Sequence, residues 1–148
     1  MSNFDRLKKM AAERDKRNTA EQDKMDFVAR TVLGLVTSLE CSEDQIEFIS
    51  LSDASFFPKG HRSPISQPPP IVYGKLNLFA LGFRDLSVDI LVSFGEFKGL
   101  YKVFIDRLTD TRYDSSDKIE TTIDPGKESD MKLLVARISF FLESCMAK

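Results

Sequence analysis

The fold is decided by residues 71–107, which read IVYGKLNLFALGFRDLSVDILVSFGEFKGLYKVFIDR. In the second and third parts of this stretch apolar and polar residues alternate, which is the period-2 pattern of strands with one buried face. The apolar positions are Leu86, Val88, Ile90, Val92 and Phe94 in one strand and Tyr101, Val103 and Ile105 in the next. Short glycine-containing connections at 82–85 and 95–99 favour hairpins between neighbouring strands. The stretch therefore predicts an antiparallel meander.

Helices are predicted on both sides of the meander. Residues 20–40 and 129–146 each carry an apolar stripe at helical spacing. The stripes consist of Met25, Val28, Val32, Leu35, Val36 and Leu39, and of Met131, Leu134, Val135, Ile138, Leu142 and Cys145. Shorter strands are predicted at 46–51 and 118–123. The expected fold class is α+β: an antiparallel sheet of four to five strands, with two helices packed on one face and a charged helical arm at the N-terminus.

The first 26 residues differ from the rest in their density of charge, with seven basic and six acidic side chains. Their spacing favours i, i+3 and i, i+4 pairs on a helix, and only Phe4, Leu7, Met10 and Ala11 form a short apolar stripe. Asn18 and Thr19 are poor helix-interior residues, and Thr19-x-x-Gln22 has the spacing of a capping box. A helix break near Asn18 is therefore favoured over one continuous helix. The chain is expected to divide into an arm at 1–18 and a single domain at 19–148.

Residues 53–70 are predicted to form one long irregular segment, because five prolines interrupt any regular element there. The segment carries adjacent phenylalanines followed by three basic groups. An exposed apolar pair ringed by charge is typical of a protein-binding hot spot, whereas two buried rings would only cover the end of the sheet. The candidate partner-binding residues are Phe56, Phe57, Lys59, His61 and Arg62, together with Leu7 on the arm.

No catalytic residue, metal or cofactor is assigned from the sequence. His61 is the only histidine and is interpreted as an exposed loop residue, and the two cysteines, Cys41 and Cys145, lack the close spacing of a zinc site. The acidic run at 106–117 does not fit an EF-hand, because Arg112 stands where an oxygen ligand is needed. The protein is therefore expected to be noncatalytic.

Composition also bears on partners. The formal net charge of −2 gives no overall basic field that would hold the chain on a phosphate backbone. The apolar stretches are too short to span a membrane, and the first residues lack the apolar core of a signal peptide, so a cytoplasmic location without membrane contact is expected.

The favoured function is binding of another protein, as an adaptor, chaperone-like or inhibitory protein, with self-association left open. The alternative is a nucleic-acid-binding accessory protein that uses basic and aromatic residues of the sheet and its loops. The residues considered for that alternative are Lys59, His61, Arg62, Lys75, Arg84, Lys98 and Lys102, with Phe56, Phe57, Tyr73, Phe79, Phe83 and Phe97. An enzyme that uses carboxylates is a third, weaker interpretation.

Overall fold

The structure, a computed structural model, describes residues 3–51, 58–108 and 114–147. Within these ranges, two helices flank six strands. The elements are α1 (Asn3–Leu39), β1 (Ile46–Leu51), β2 (Pro58–Pro64), β3 (Asn77–Phe83), β4 (Val88–Phe97), β5 (Leu100–Leu108), β6 (Asp114–Ile123) and α2 (Glu128–Met146), with a 3₁₀ turn at Glu43–Gln45. The α+β class and the antiparallel sheet predicted from the sequence are confirmed.

The strands form one antiparallel sheet in the order β2-β1-β3-β4-β5-β6. Strands β3 to β5 are the expected meander, and β6 is a longer form of the short edge strand predicted at 118–123. Strand β1 pairs with both β3 and β2. The described sheet therefore has six strands, and the expectation of four to five is corrected by β2, which lies in the segment predicted to be irregular. Pro58 and Pro64 stand at the two ends of β2. Because an edge strand uses only one of its hydrogen-bonding sides, prolines at its ends do not prevent pairing.

Both helices pack on one face of the sheet and enclose the main core. The core contains Phe27, Val32 and Leu35 of α1 and Leu134, Ile138 and Leu142 of α2, together with alternate residues of the strands such as Ile90, Val92, Phe94, Val103 and Ile105. All six residues of the apolar stripe predicted on α2 are buried. Val92 in the middle of β4 and Ile138 in the middle of α2 are both fully buried in the same cluster. The periodicity of the sequence thus identified the core face of α2 correctly.

The opposite face of the sheet, which we call the open face, carries the alternate side chains of the strands. A smaller apolar cluster of Ile49, Leu51, Ala80, Leu91 and Leu108 lies there, with Val72 and Leu78 packed against it. Towards the two ends of the sheet the open face becomes polar or exposed. The candidate surfaces described below lie on these two ends and on α1.

The helix break predicted near Asn18 is wrong, because α1 is one continuous helix of 37 residues. Thr19 Oγ1 donates to the Asp15 carbonyl at 2.9 Å, and Gln22 Nε2 donates to Asp26 Oδ1 at 2.9 Å. The two side chains of the predicted capping box are therefore satisfied within the helix. Residues such as Asn and Thr cost less than about 1 kcal/mol each in a helix interior, which is too little to end a helix favoured by its other residues.

The two helices approach each other closely at Gly34. A Cβ atom on Gly34 would lie 2.8 Å from Val135 Cγ2 in α2. We expect Gly34→Ala to lower the free energy of unfolding by up to about 2 kcal/mol, because overpacking costs roughly 1–3 kcal/mol and the gain in helix propensity returns about 1 kcal/mol. Chemical denaturation measures the change. In a double-mutant cycle, Val135→Ala should cost less in the Gly34→Ala background than alone, and an equal cost of Val135→Ala in both backgrounds would rule out the close approach.

Candidate functional site

The N-terminal part of α1 projects away from the core. Among the described side chains of α1, Phe27 is the first that is buried, and from Asn3 to Asp23 only Ala11 is half-buried while the others are exposed. At 1.5 Å per residue, residues 3–26 extend for about 36 Å. We call this segment the projecting helix. It contains the described part of the arm that the charge pattern indicated, although no break separates it from the rest of α1.

The projecting helix exposes three large apolar side chains near its tip. Phe4, Leu7 and Met10 are 66%, 57% and 58% exposed. Their i, i+3, i+6 spacing places them on one side of the first two turns. Lys8 Nζ lies 5.3 Å from the centroid of the Phe4 ring. Since Arg6 and Lys9 also lie in these turns and Asp5 is their one acidic residue, the apolar stripe has a basic surrounding.

The projecting helix meets the body of the protein beside two tyrosines. Lys24 Nζ lies 5.5 Å from the centroid of the Tyr73 ring. Burial, and after it the Glu21 carboxylate, raise the pKa of Tyr73. Burial likewise raises the pKa of Tyr101, with smaller contributions from Glu96 and Asp23. Both phenols are neutral near pH 7, because their pKa values lie above the ordinary value of 10. A raised phenol pKa stabilises the folded state at every pH below 10, and this contribution is lost as the pH rises through the pKa of the folded state.

The candidate residues that the structure describes between Pro58 and Pro64 form a strand and not the predicted loop. Phe56 and Phe57 lie outside the described residues, as does the side chain of Lys59, so their proposed roles remain predictions. Lys59, His61 and Arg62 belong to the edge strand β2, and the side chains of His61 and Arg62 are exposed. Leu7 lies near the tip of the projecting helix, and the structure does not bring it together with His61 and Arg62 on β2.

Arg62 is held on the open face by carboxylates of the protein itself. Its Nη2 lies 3.1 Å from Asp89 Oδ2 on β4, and its Nη1 lies 3.7 Å from Glu47 Oε2 on β1. The other oxygen of Glu47 pairs with Arg84 Nη2 at 2.9 Å. Gly82 on β3 makes room for this arrangement, since a Cβ there would collide with Arg62 Nη1. Because two carboxylates already neutralise Arg62, its charge would attract an acidic partner less than a free guanidinium would.

A groove of about 850 Å³ opens beside this ion-pair network, at the end of the sheet where β1 begins and β2 ends. Its lining includes four carboxylates, two guanidinium groups and three large apolar side chains. These residues are Glu43, Asp44, Glu47 and Asp89, then Arg62 and Arg84, and then Ile46, Ile65 and Phe83. Neither histidine nor cysteine is among the described lining residues, and in the described part of the chain no three His, Cys, Asp or Glu side chains are grouped to hold a metal ion.

A further group of exposed side chains lies at the other end of the open face, on the hairpin between β4 and β5. Lys98 and Gly99 have φ angles of 53° and 80°, as in a two-residue type I′ turn. Beside this turn Phe97 is 66% exposed, and Leu100 and Leu76 are also exposed. We call Phe97, Lys98, Leu100, Lys102, Phe104 and Lys118 the hairpin patch, in which Phe104 is half-buried and the other five side chains are exposed.

The lysines of the hairpin patch lie over its aromatic rings. Lys98 Nζ lies 5.3 Å from the Phe97 ring centroid, and Lys118 Nζ and Lys102 Nζ lie 4.4 Å and 5.9 Å from that of Phe104. Sequence reasoning considered Phe97, Lys98 and Lys102 but missed Leu100, Phe104 and Lys118. Phe79 and Phe83, which it also considered as stacking faces, are buried in the core. A signal for Leu100 and Phe104 was present in the sequence, because these large apolar residues alternate with the buried residues of β5.

Comparison of the chain with protein-family models, with curated proteins and with solved structures finds no match. In the described part of the chain, neither helix is long and apolar enough to cross a membrane.

Proposed function

We propose that the protein is a noncatalytic, cytoplasmic protein-binding module, an adaptor, chaperone-like or inhibitory protein, that docks another protein through its projecting helix. The observation that carries this proposal is the exposure of Phe4, Leu7 and Met10 on a segment of α1 whose described side chains lie outside the core. Three large apolar side chains in water are unfavourable, since burying each would contribute about 1.5–3 kcal/mol.

The chemistry of the projecting helix indicates the kind of partner. Apolar anchors three residues apart on one side of a helix suit an apolar groove on another protein. The basic groups Arg6, Lys8 and Lys9 beside the anchors favour a groove with an acidic rim. A second copy of the chain would bring the same basic groups face to face in a twofold interface, which disfavours self-association through this surface.

Capture of partners by the full chain tests the proposal. We expect Phe4→Ser with Leu7→Asp to weaken binding of the native partner at least about 100-fold, because two anchors are removed, each worth about 1.5–3 kcal/mol. The melting temperature should stay close to that of the parent, since both side chains are exposed. The measurement is quantitative capture from nuclease-treated extract, with Phe140→Ser as a matched control, because Phe140 on α2 is 64% exposed.

Three results would contradict the proposal or redirect it. Unchanged capture by the helix variant would remove the projecting helix as the binding surface. Loss of capture by Phe56→Ser with Phe57→Ser, but not by the helix variant, would place the contact in the segment that sequence reasoning singled out. A fall in molar mass on Leu7→Asp, measured by light scattering with capture unchanged, would identify self-association instead.

A further inference from the structure

The hairpin patch twice combines an aromatic ring with an ammonium group. Phe97 has Lys98 beside it, and Phe104 lies between Lys102 and Lys118, with each ammonium within 6 Å of a ring centroid. These distances are those of cation–π contacts. Lys98 follows Phe97 directly in the sequence, and Lys102 lies two residues before Phe104 on β5. Lys118 belongs to β6, and strand register brings it over Phe104.

The two rings share the open face and are separated along it. Phe97 pairs with Leu100, and Phe104 lies four residues further along β5, a distance of about 13 Å at the rise of a strand. Leu76 packs on the same face, because a Cβ on Gly95 would lie 2.9 Å from Leu76 Cδ2. Leu76 and Leu100 thus add apolar surface beside Phe97. The surface is long enough for a short extended ligand.

We infer that the hairpin patch binds single-stranded nucleic acid, as a surface separate from the projecting helix. A nucleotide carries a base that stacks on an aromatic ring, offered here by the exposed Phe97, and a phosphate that attracts the ammonium groups near Phe97 and the half-buried Phe104. At 3.4 Å per nucleotide of a stacked strand, 13 Å corresponds to at most about four nucleotides. Bases of a duplex are stacked on each other and cannot reach the rings, and an acidic peptide would engage the lysines alone.

The local charge supports an anionic ligand despite the net charge of the whole chain. In the described part of the chain, three ammonium groups lie in the patch near two exposed carboxylates: Glu120, whose Oε1 lies 3.1 Å from Lys102 Nζ, and Glu96, the chain neighbour of Phe97. Both partners of this ion pair are about half-exposed, so solvent screens it and a phosphate can compete with Glu120. Glu120 therefore weakens the site without closing it.

Fluorescence anisotropy of labelled oligothymidylate and oligouridylate with the full chain tests the inference, with a duplex of the same length as reference. We expect binding of the single strands only, with a log–log salt dependence of slope near −2, as three lysines contribute about 0.7 each. Phe97→Ser should weaken binding at least about 5-fold, the lower limit for loss of one stacked base. Lys118→Ala should weaken binding and reduce the slope by about 0.7. Glu120→Gln should tighten binding.

Matched variants on α2, Phe140→Ser and Lys132→Ala, should leave the affinity unchanged, and melting temperatures should show that all variants are folded. Equal affinity for duplex and single strand, or no binding of either, would overturn the inference. The inference would also be overturned if the lysine variants weakened binding while Phe97→Ser had no effect. That result would indicate a surface that binds polyanions by charge alone, without base stacking. Binding of phosphatidylserine vesicles but not of oligonucleotides would assign the patch to a lipid surface instead. Because the capture experiment uses nuclease-treated extract and different residues, either proposal can fail without the other.

Discussion

Ile138→Ala is expected to lower the free energy of unfolding by about 2–4 kcal/mol, the range for a large-to-small change in a core that cannot fully collapse. Ile138 is fully buried in the cluster that joins α2 to the sheet. Chemical denaturation at constant m-value measures the loss. Leu133→Ala on the same helix is the control, since Leu133 is exposed and the change should stay within about 0.5 kcal/mol. A loss below about 0.5 kcal/mol for Ile138→Ala would mean that α2 does not pack on the sheet.

Phe27→Ala is expected to cost about 3–5 kcal/mol, whereas Phe4→Ala on the same helix should stay within about 0.5 kcal/mol. The Phe27 ring is buried against two aromatic neighbours, with centroids 4.8 Å from Phe94 and 4.9 Å from Tyr101. Phe4 has no comparable burial. The pair of variants therefore divides α1 into a part that stabilises the fold and a part that does not. Destabilisation by Phe4→Ala of more than about 1 kcal/mol would show that the projecting helix belongs to the folding unit.

Much of the sheet could be predicted because its inner and outer residues alternate within single strands. The alternation through Val88, Ile90 and Val92 indicated the buried face of β4, and the stripe through Ile138 indicated that of α2. Burial of one face is a local property of sequence, which is why these elements were recognised. Nothing in the pattern of one strand reports which other segment lies over it.

Two glycines illustrate what local patterns leave out. The sequence pattern predicts Gly82 and Gly95 in turns, but they lie inside β3 and β4. Each leaves room for a side chain from elsewhere in the chain, Arg62 over Gly82 and Leu76 over Gly95. Glycine inside a strand often marks such a close approach, but the approaching residue is set by tertiary structure. The turn between β4 and β5 is formed by Lys98 and Gly99.

The candidate surfaces also differ in whether local sequence patterns indicate them. The exposed apolar stripe of the projecting helix could be read from sequence, since charge surrounds it on both sides. The edge strand β2 could not, because its prolines argue against a strand and only its position at the edge makes them acceptable. The hairpin patch depends on the register of β4, β5 and β6, which places Lys118 over Phe104, fourteen positions earlier in the chain.

Site-specific photo-cross-linking tests the central claim most directly, namely that the tip of the projecting helix contacts a partner protein. A photoreactive amino acid replaces Leu7 in one variant and Leu33 in the other, two exposed leucines of the same helix, 57% and 53% exposed. In nuclease-treated extract we expect a discrete cross-linked protein, different from the chain itself, from position 7 and none from position 33. Equal cross-linking from both positions, or none from position 7, would contradict the claim.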